Sequence, residues 1–378
     1  MASLHSRRLA HTVHYVIMSS PPLPAVLNPC YQVRRTCGML MEDPESPVSV
    51  NEEGIHKFVE ELRMETTTTT TTTPLANVQW DAEGWHYAAL EIQDATTKRE
   101  RIALYILALD AINFCFWPSP AHSQIQNTLE YNHLAIALKE LATANNEEQF
   151  QYFFAPQHLA TITEQEMTDA LKPHLQQHNH HLSNLSERCR LWNELGAGLE
   201  LDYKGSALNL IDACHNSAPR LVKLLISSFS GFRDETLFEG KWACFYKRAQ
   251  IAVADLNAAL SLNLQGIDEL TTFADYRVPQ LLRHVHVLEY TKELADAVDN
   301  QMELPQNQEV YIRAATVVAV DRLVNAYNNN NKNTTTHTNA HPIIMTAVTM
   351  DWHLWQVGEE LNQNNKMKPH HRVNTIFY

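Results

Sequence analysis

Apolar residues recur at helical spacing along much of the chain, most clearly from about residue 163 onward. This pattern predicts helices over about 48–63, 182–195, 206–214, 218–229, 245–260, 292–302, 310–327 and 346–361. Strand signals are few, and strands do not alternate regularly with helices. The sequence therefore predicts a mainly α fold with few short strands rather than an α/β fold.

Local signals mark several helix ends. Thr163 and Glu166 form a capping-box pattern, and Ser217 is placed to cap the helix that follows it, with Pro219 in the first turn. Gly196 and Gly198 are predicted to end the helix at 182–195, because glycine is common just past a helix C-terminus.

Two polar runs interrupt the pattern, a threonine-rich run at 66–73 and an asparagine- and threonine-rich run at 328–339. Uniform polar tracts bury too little surface to offset the entropy of ordering, so both runs are predicted to be loop insertions. Residues 1–41 contain no acid and are predicted to form a disordered extension, with a targeting segment as the alternative. Residues 42–378 are then predicted to form a single domain.

The net charge limits the classes of ligand that the protein is expected to bind. The chain of 378 residues has a net charge of −14, which disfavours duplex nucleic acid because such proteins need a basic face. Neither an apolar run long enough to span a membrane nor a glycine-rich nucleotide loop is present.

Cysteine and histidine spacing disfavours a metal site. The six cysteines show no Cys-x-x-Cys spacing, which favours reduced thiols in the cytoplasm over zinc ligands or disulfides. His178, His180 and His181 share one polar segment and would point to different faces, so they are not predicted to bind a metal.

A carboxylate stands in an unusual setting within the stretch 270–284. Asp275 lies between Phe273 and Tyr276, just ahead of an apolar run, although acids are mostly exposed unless something pairs with them. It fits an N-cap of the following helix, with Pro279 near the first turn. It also fits a carboxylate held in an aromatic pocket to face a developing positive charge, and the pattern alone leaves both interpretations open.

Two further segments carry candidate binding chemistry. Asp351 and Trp355 are four residues apart on one helical face, with Trp352 beside them, which suits recognition of a flat heterocycle by a carboxylate and a stacking ring. Lys247 and Arg248 place positive charge among aromatic residues. They fit either an exposed, ion-paired helix face or a pocket for one phosphate.

Taken together, these segments resemble one family, the queuosine salvage proteins, or queuosine 5′-phosphate N-glycosylases. The matching stretches follow the family's order within about residues 45–378, at 110–117, 232–235, 237–241, 245–250, 273–280, 309–313 and 351–355. Residues 1–41 and the two polar runs stand outside the resemblance, as additions to the family core.

The resemblance implies one helical domain similar to helical, helix–hairpin–helix-type DNA glycosylases but acting on a free nucleotide. It implies hydrolysis of the N-glycosidic bond of queuosine 5′-monophosphate to release queuine for salvage into tRNA, with no metal or organic cofactor. It also implies that Phe273 and Asp275 form the family's Phe-x-Asp pair, that Asp351 is the acid of the late helix, and that an early histidine, best matched by His86, contacts the base. Gln356 stands where the family can carry an acid, so that contact would be altered.

The chemistry of this substrate accounts for the residue types. Queuine is a 7-deazaguanine, so position 7 is a carbon that cannot be protonated as in ordinary purines, and activation of the leaving base is weaker. More of the barrier must be lowered on the sugar side, where a fixed carboxylate stabilises the oxocarbenium-like charge. Asp275 is assigned this role, and whether it acts as stabiliser, base or nucleophile stays open.

The remaining site residues are predicted to bind the substrate: Phe273, Asp351, Trp352, Trp355, His86, Lys247 and Arg248. Phe273 and Trp355 would sandwich the base, and Asp351 would accept from its N–H edge. Lys247 and Arg248 are assigned to the 5′-phosphate on charge alone.

Two rival functions stay open, a non-catalytic protein that binds queuine, a modified nucleotide or tRNA, and a glycosylase acting on nucleic acid. The net charge of −14 disfavours both nucleic-acid functions. We expect a cytoplasmic monomer that binds a small nucleotide but neither duplex nucleic acid nor membranes. A nuclear pool and organellar targeting by residues 1–41 stay open.

Overall fold

The computed structural model describes residues 28–68, 80–81, 83–117, 129–143, 152–175, 182–334 and 344–378. Within these ranges the fold is mainly helical, as predicted. The helices are α1 (Pro29–Leu40), α2 (Glu52–Thr68), α3 (Ala95–Ala111), α4 (Tyr131–Thr143), α5 (Pro156–Leu159), α6 (Glu164–Leu175), α7 (Leu185–Tyr203), α8 (Ala207–Asp212), α9 (Ala218–Ser228), α10 (Lys247–Ala259), α11 (Arg277–His284), α12 (Lys292–Asp299), α13 (Gln306–Thr334) and α14 (Ala347–Gln363).

The strands among the described residues form two small antiparallel sheets. β1 (Val48–Val50) pairs with β4 (Leu288–Tyr290), and β2 (Glu235–Phe238) pairs with β3 (Lys241–Cys244). The β2–β3 hairpin leads directly into α10, so it sets where that helix begins.

Two apolar clusters form the core. The first includes α3, which is buried along its length from Ile102 to Ala111, together with parts of α7, α9 and α10. A helix that is apolar on all sides is expected in the interior, which explains the long apolar run in this part of the sequence. The second cluster is built on α11, α13 and α14. The site described below lies where α10 of the first cluster faces α14 of the second.

The predicted extension at 1–41 is too long, because α1 lies inside it and belongs to the core. The side chain of Asn28 caps α1 by accepting hydrogen bonds from the N–H groups of Cys30 and Tyr31. The buried face of α1, which includes Val33 and Cys37, packs against α13 and β3. The described fold therefore begins at residue 28, and residues 1–27 lie outside the described residues.

The predicted helix end at Gly196 and Gly198 is also wrong, since α7 continues to Tyr203. A Cβ atom at position 196 would lie 2.3 Å from the backbone nitrogen of Ala160, at the crossing with α5. This glycine therefore permits close helix packing and does not end the helix.

Both predicted polar insertions begin later than expected. Residues 66–68 complete α2, and residues 328–334 complete α13. Asn328 exchanges hydrogen bonds of 2.9 Å with the backbone of Met345, which ties α13 to the start of α14. The remainders of the two runs, 69–73 and 335–339, lie outside the described residues.

Several local predictions are confirmed. Thr163 and Glu166 exchange the hydrogen bonds of a capping box, and the Ser217 hydroxyl caps α9. A further feature of the fold is that Tyr378, at the end of the tail, is fully buried. All six cysteines are free and buried. None of the described helices is both long and apolar enough to cross a membrane.

Candidate active site

A cavity of about 530 Å³ lies between α10, α14 and the stretch 270–276. This volume falls within the range of small-molecule sites. Residues from six parts of the chain line the cavity: Trp80, Asp81, Glu83, Trp85, His86, Asn113, Phe116, Tyr131, Lys247, Ile251, Asp255, Phe273, Asp275, Tyr276, Asp351, Trp352, Trp355, Gln356, Glu359, Glu360 and Gln363. The structure thus brings together every predicted site residue except Arg248.

Asp275 caps a helix and also lines the cavity, whereas the developing positive charge that it would face stays a prediction. Its Oδ1 accepts hydrogen bonds from the backbone N–H groups of Arg277 (2.9 Å) and Val278 (3.0 Å), so it caps α11. Its side chain also lines the cavity and is 7% exposed. Burial raises the pKa of Asp275, while the charge of Lys247 and the two backbone donors oppose the rise. The cap therefore holds a buried carboxylate in one orientation.

Asp351 is fixed to the same stretch of backbone. Its Oδ1 accepts from the Thr272 hydroxyl and from the backbone N–H of Phe273, the latter at 2.7 Å. Burial raises the pKa of Asp351 to about 7, and the charge of Asp275 adds to the rise. The two carboxyl groups are therefore close enough to influence each other's protonation.

Lys247 supplies positive charge beside these acids. Its backbone N–H donates to Asp234 Oδ2 at 3.1 Å, which fixes the first turn of α10. Its ammonium group makes no hydrogen bond or ion pair within the described residues, although the side chain is only 4% exposed. Burial lowers the pKa of Lys247, and the charge of Asp275 is the largest effect in the opposite direction. This ammonium group is available to a ligand.

Arg248 does not line the cavity, so its assignment to the phosphate is withdrawn. Its guanidinium donates to the backbone carbonyls of Asp110, Ala111 and Gly231 and is 1% exposed. Successive residues of a helix point about 100° apart, so Lys247 reaches the cavity while Arg248 reaches the core.

Aromatic side chains form much of the cavity wall. Trp355 makes edge contacts with Trp85 and Tyr131, with ring centres 6.1 and 5.9 Å apart. Phe273 and Trp352 also line the space. The predicted sandwich of a planar base between Phe273 and Trp355 stays a prediction.

His86 is held by three neighbours. Its Nε2 lies 2.8 Å from the Tyr131 hydroxyl, its Nδ1 lies 2.8 Å from Asp81 Oδ1, and its ring stacks on Trp80 with centres 4.5 Å apart. Although burial alone would raise the pKa of Asp81, contact with His86 and the N–H groups of His86 and Trp85 bring it below its ordinary value. These contacts fix the orientation of the imidazole.

Asp255 is a site residue that sequence reasoning missed. It lies on α10 eight residues after Lys247 and four after Ile251, so all three share one face of the helix and line the cavity. Burial raises the pKa of Asp255 to about 6, while nearby His86 and the indole of Trp80 oppose the rise. Its spacing from Lys247 was the available signal, but a buried acid on a helix face does not by itself indicate a cavity.

The cavity therefore has two ends, separated by about 12 Å along α10 at 1.5 Å per residue. We call the first the Asp275 end; it consists of Lys247, Phe273, Asp275 and Asp351. We call the second the His86 end; it consists of Trp80, Asp81, His86, Tyr131 and Asp255.

An arginine behind the cavity ties α11 to α14. Arg277, whose side chain is 1% exposed, donates to Glu359 Oε1 at 2.5 Å and to Gln280 Oε1 at 2.5 Å. Its Nη2 lies 3.4 Å from Glu130 Oε1. Glu359 lies on α14, which carries Asp351, and Arg277 lies on α11, which Asp275 caps. This network therefore holds together the two helices next to the two carboxylates.

No cluster of three or more potential metal ligands occurs among the described residues. His178, His180 and His181 lie outside those residues.

Comparison with known proteins places the chain in a family. A family profile described as "Queuosine salvage protein" matches residues 92–378. The chain belongs to this family. A relative from Dictyostelium discoideum is 35% identical over 360 residues, which cover 93% of this chain and all of the relative.

Other members of the family give the same result. A relative from Sphaerobacter thermophilus is 35% identical over 74% of this chain and 82% of its own length. A relative from Bos taurus is 29% identical over 78% of this chain and 86% of its own length. All three are named queuosine 5′-phosphate N-glycosylase/hydrolase.

The family profile covers the two ends of the cavity to different extents. Every residue of the Asp275 end falls within the matched range 92–378, whereas Trp80, Asp81 and His86 precede it. The histidine that the resemblance implied is therefore placed at the cavity by the fold and not by the family profile.

Proposed function

We propose that this member of the queuosine salvage family hydrolyses the N-glycosidic bond of queuosine 5′-phosphate and releases queuine for salvage into tRNA. The observation that carries the proposal is Asp275, a buried carboxylate fixed by two backbone donors inside an aromatic cavity. The names of the relatives, which share this reaction, support it.

Asp275 acts on the sugar side of the bond. Its Oδ1 is occupied by the α11 cap, which leaves Oδ2 for C1′ or for the attacking water. A carboxylate that is already oriented in a water-poor site stabilises an oxocarbenium-like charge without further reorganisation. The same oxygen can position or deprotonate the water, or attack C1′.

Asp351 acts on the base. Its Oδ1 is occupied by Thr272 and Phe273, so Oδ2 is the atom that meets the guanine-like N–H edge. Phe273 and Trp355 hold the faces of the ring, with Trp352 beside them. The ammonium group of Lys247 binds the 5′-phosphate as a charge-assisted donor.

The finer features of fold and setting belong to the same proposal. The mainly helical architecture is in keeping with a fold like that of helix–hairpin–helix DNA glycosylases. We propose a cytoplasmic monomer that takes a free nucleotide and neither duplex nucleic acid nor a membrane. The free thiols suit a reducing compartment, and the net charge of −14 opposes binding to a phosphate backbone.

The direct test is to incubate the protein with queuosine 5′-phosphate or with queuosine and to follow queuine by mass spectrometry. We expect release of queuine, and we expect Asp275→Asn to reduce it at least about 100-fold while the protein stays folded, because the amide cannot stabilise the developing charge.

The matched control is Asp268→Asn, which changes an exposed aspartate a few residues before Asp275 in the chain. This variant should keep wild-type turnover. Near-normal turnover by Asp275→Asn would remove Asp275 from the chemistry. Tight binding of queuine without turnover by the wild type would favour the non-catalytic rival.

A further inference from the structure

The charge of the cavity does not match a ligand whose only charged group is a phosphate. Seven acidic side chains line it: Asp81, Glu83, Asp255, Asp275, Asp351, Glu359 and Glu360. Among the described lining residues, Lys247 is the one lysine or arginine. A site with this excess of carboxylates suits a ligand that also carries a positive charge.

Several of these acids already have partners. Arg277 pairs with Glu359, His86 lies against Asp81, and Asp275 and Asp351 accept hydrogen bonds from the backbone. Asp255 is different, because neither a salt bridge nor a backbone hydrogen bond to its carboxylate occurs within the described residues, although it is only 4% exposed. The neighbours that oppose the rise of its pKa are His86 and the indole of Trp80.

Asp255 is the more acidic of two buried carboxyl groups. Nearby Asp110 is fully buried, and both of its carboxyl oxygens lack hydrogen-bond partners among the described residues. Burial and the charge of Asp255 raise the pKa of Asp110 well above its ordinary value, so Asp110 keeps its proton. Asp255, whose pKa is raised only to about 6, is then the more acidic member of the pair.

The order of Lys247 and Asp255 along α10 is the order of the two charged groups in the proposed substrate. Asp255 and Lys247 are separated by eight residues on one helix face, or about 12 Å. In queuosine 5′-phosphate the phosphate and the 7-substituent lie at opposite ends of the nucleotide. That substituent joins a cyclopentenediol to the base through a secondary amine, which is protonated near neutral pH.

We propose that Asp255 forms the subsite for the protonated amine of the 7-aminomethyl side chain. The carboxylate accepts a charge-assisted hydrogen bond from the ammonium. This inference rests on the proposed function, and it assigns selection of the side chain to the His86 end of the cavity.

The subsite separates bases that carry the amine from bases that lack it. Queuine and 7-aminomethyl-7-deazaguanine both have the amine, whereas only queuine has the cyclopentenediol. 7-Deazaguanine has neither. Asp255 should therefore favour the first two bases equally over the third.

The experiment measures binding of these three free bases to wild type and to Asp255→Asn by titration calorimetry. We expect Asp255→Asn to weaken binding of the two amine-bearing bases by about 10- to 100-fold and to leave 7-deazaguanine within about 2-fold. Asp255→Glu, which keeps the charge, should retain part of the preference. Asp202→Asn, at an exposed aspartate of α7, should match wild type for all three bases.

Two outcomes would overturn the subsite. An equal loss for all three bases would make Asp255 a support for the base pocket, and a loss confined to queuine would assign Asp255 to the diol. Binding of free bases does not require turnover, so the result is read separately from release of queuine by the wild type, which tests the proposed function. Equal melting temperatures of wild type and variants exclude unfolding as the cause.

Discussion

The carboxylates of Asp275 and Asp351 at one end of the cavity and the imidazole of His86 at the other are held by different kinds of contact. At the Asp275 end, the carboxylates of Asp275 and Asp351 are held by backbone N–H groups of residues 273–278. At the His86 end, the imidazole is held by the side chains of Trp80, Asp81 and Tyr131. Backbone donors fix a carboxylate more tightly than side chains do, because they have no rotamers of their own.

This difference fits the different tasks that we propose for the two ends, catalysis at one and recognition of the substituent at the other. Stabilising a transition state requires groups that are already in place, whereas recognising a substituent tolerates adjustment. We therefore expect damage at the Asp275 end to reduce stability and turnover together, and damage at the His86 end to affect mainly binding.

The largest effect is expected from Arg313→Met, which removes the support of the Asp275 end. Arg313 donates to the Ala274 carbonyl at 3.0 Å and pairs with Asp234 at 2.9 and 2.5 Å, with both side chains at most 4% exposed. Leaving Asp234 buried and unpaired should lower the free energy of unfolding by about 3–5 kcal/mol. Urea denaturation measures the change, and turnover should fall with it.

The matched control lies on the same helix. Arg322 pairs with Glu52 at the surface, with side chains 46% and 59% exposed, so Arg322→Met should cost less than about 1 kcal/mol. Similar losses for the two variants would contradict the view that the buried pair supports the site.

A smaller effect is expected from pH, with opposite signs for Asp351 at one end and Asp81 at the other. The pKa of Asp351 is raised to about 7 in the folded protein, so between about pH 4 and 7 the folded state holds a proton that the unfolded chain has released. This group therefore stabilises the fold progressively less as pH rises through that window, by up to about 1.4 kcal/mol per pH unit. In Asp351→Asn this slope should be missing from the free energy of unfolding measured in urea between pH 5 and 8.

Asp81 provides the contrasting case at the His86 end. Its pKa is lowered in the folded protein, so its contribution is present at neutral pH and is lost as the solution becomes acidic. Asp81→Asn should therefore differ from wild type in the slope of unfolding free energy against pH only on the acid side.

Parallel curves of unfolding free energy against pH for wild type and Asp351→Asn would mean that Asp351 is already ionised throughout.

The smallest effect is expected from Tyr131→Phe, which removes the hydroxyl 2.8 Å from His86 and keeps the ring against Trp355. Loss of one hydrogen bond should reduce kcat/KM by about 2- to 10-fold, through KM, because only the orientation of a binding group changes. Steady-state kinetics with queuosine 5′-phosphate measures it. Tyr290→Phe in β4 should leave both constants unchanged, and an equal fall in kcat for Tyr131→Phe would place Tyr131 in the chemistry.

The sequence predicted the Asp275 end better than the His86 end for a physical reason. Asp275, Asp351 and Trp355 stand in short segments whose local pattern already combines acids with aromatic rings. The predicted cap is confirmed, because one oxygen of Asp275 caps α11, and the carboxylate also lines the cavity. The mainly helical class and several caps were equally local and were predicted correctly.

The features that were missed depend on which way a helix faces. Lys247 and Arg248 are indistinguishable by charge, yet one lines the cavity and the other binds core carbonyls. Asp255 becomes a site residue only because α14 and the segment near His86 enclose its face of α10. The start of α1 carried a local signal, Asn28 before Pro29, but it lay inside a segment without acids that resembled an extension.

Because all six free thiols are buried, their rates of chemical labelling report how often each part of the fold opens. A thiol reagent reacts with an exposed thiolate, so labelling of these cysteines in the native state must wait for a fluctuation that uncovers them. Cys37 and Cys244 lie together where α1 meets β3, whereas Cys189 lies on a different element, α7. The order in which they are labelled would therefore show which part of the fold opens first.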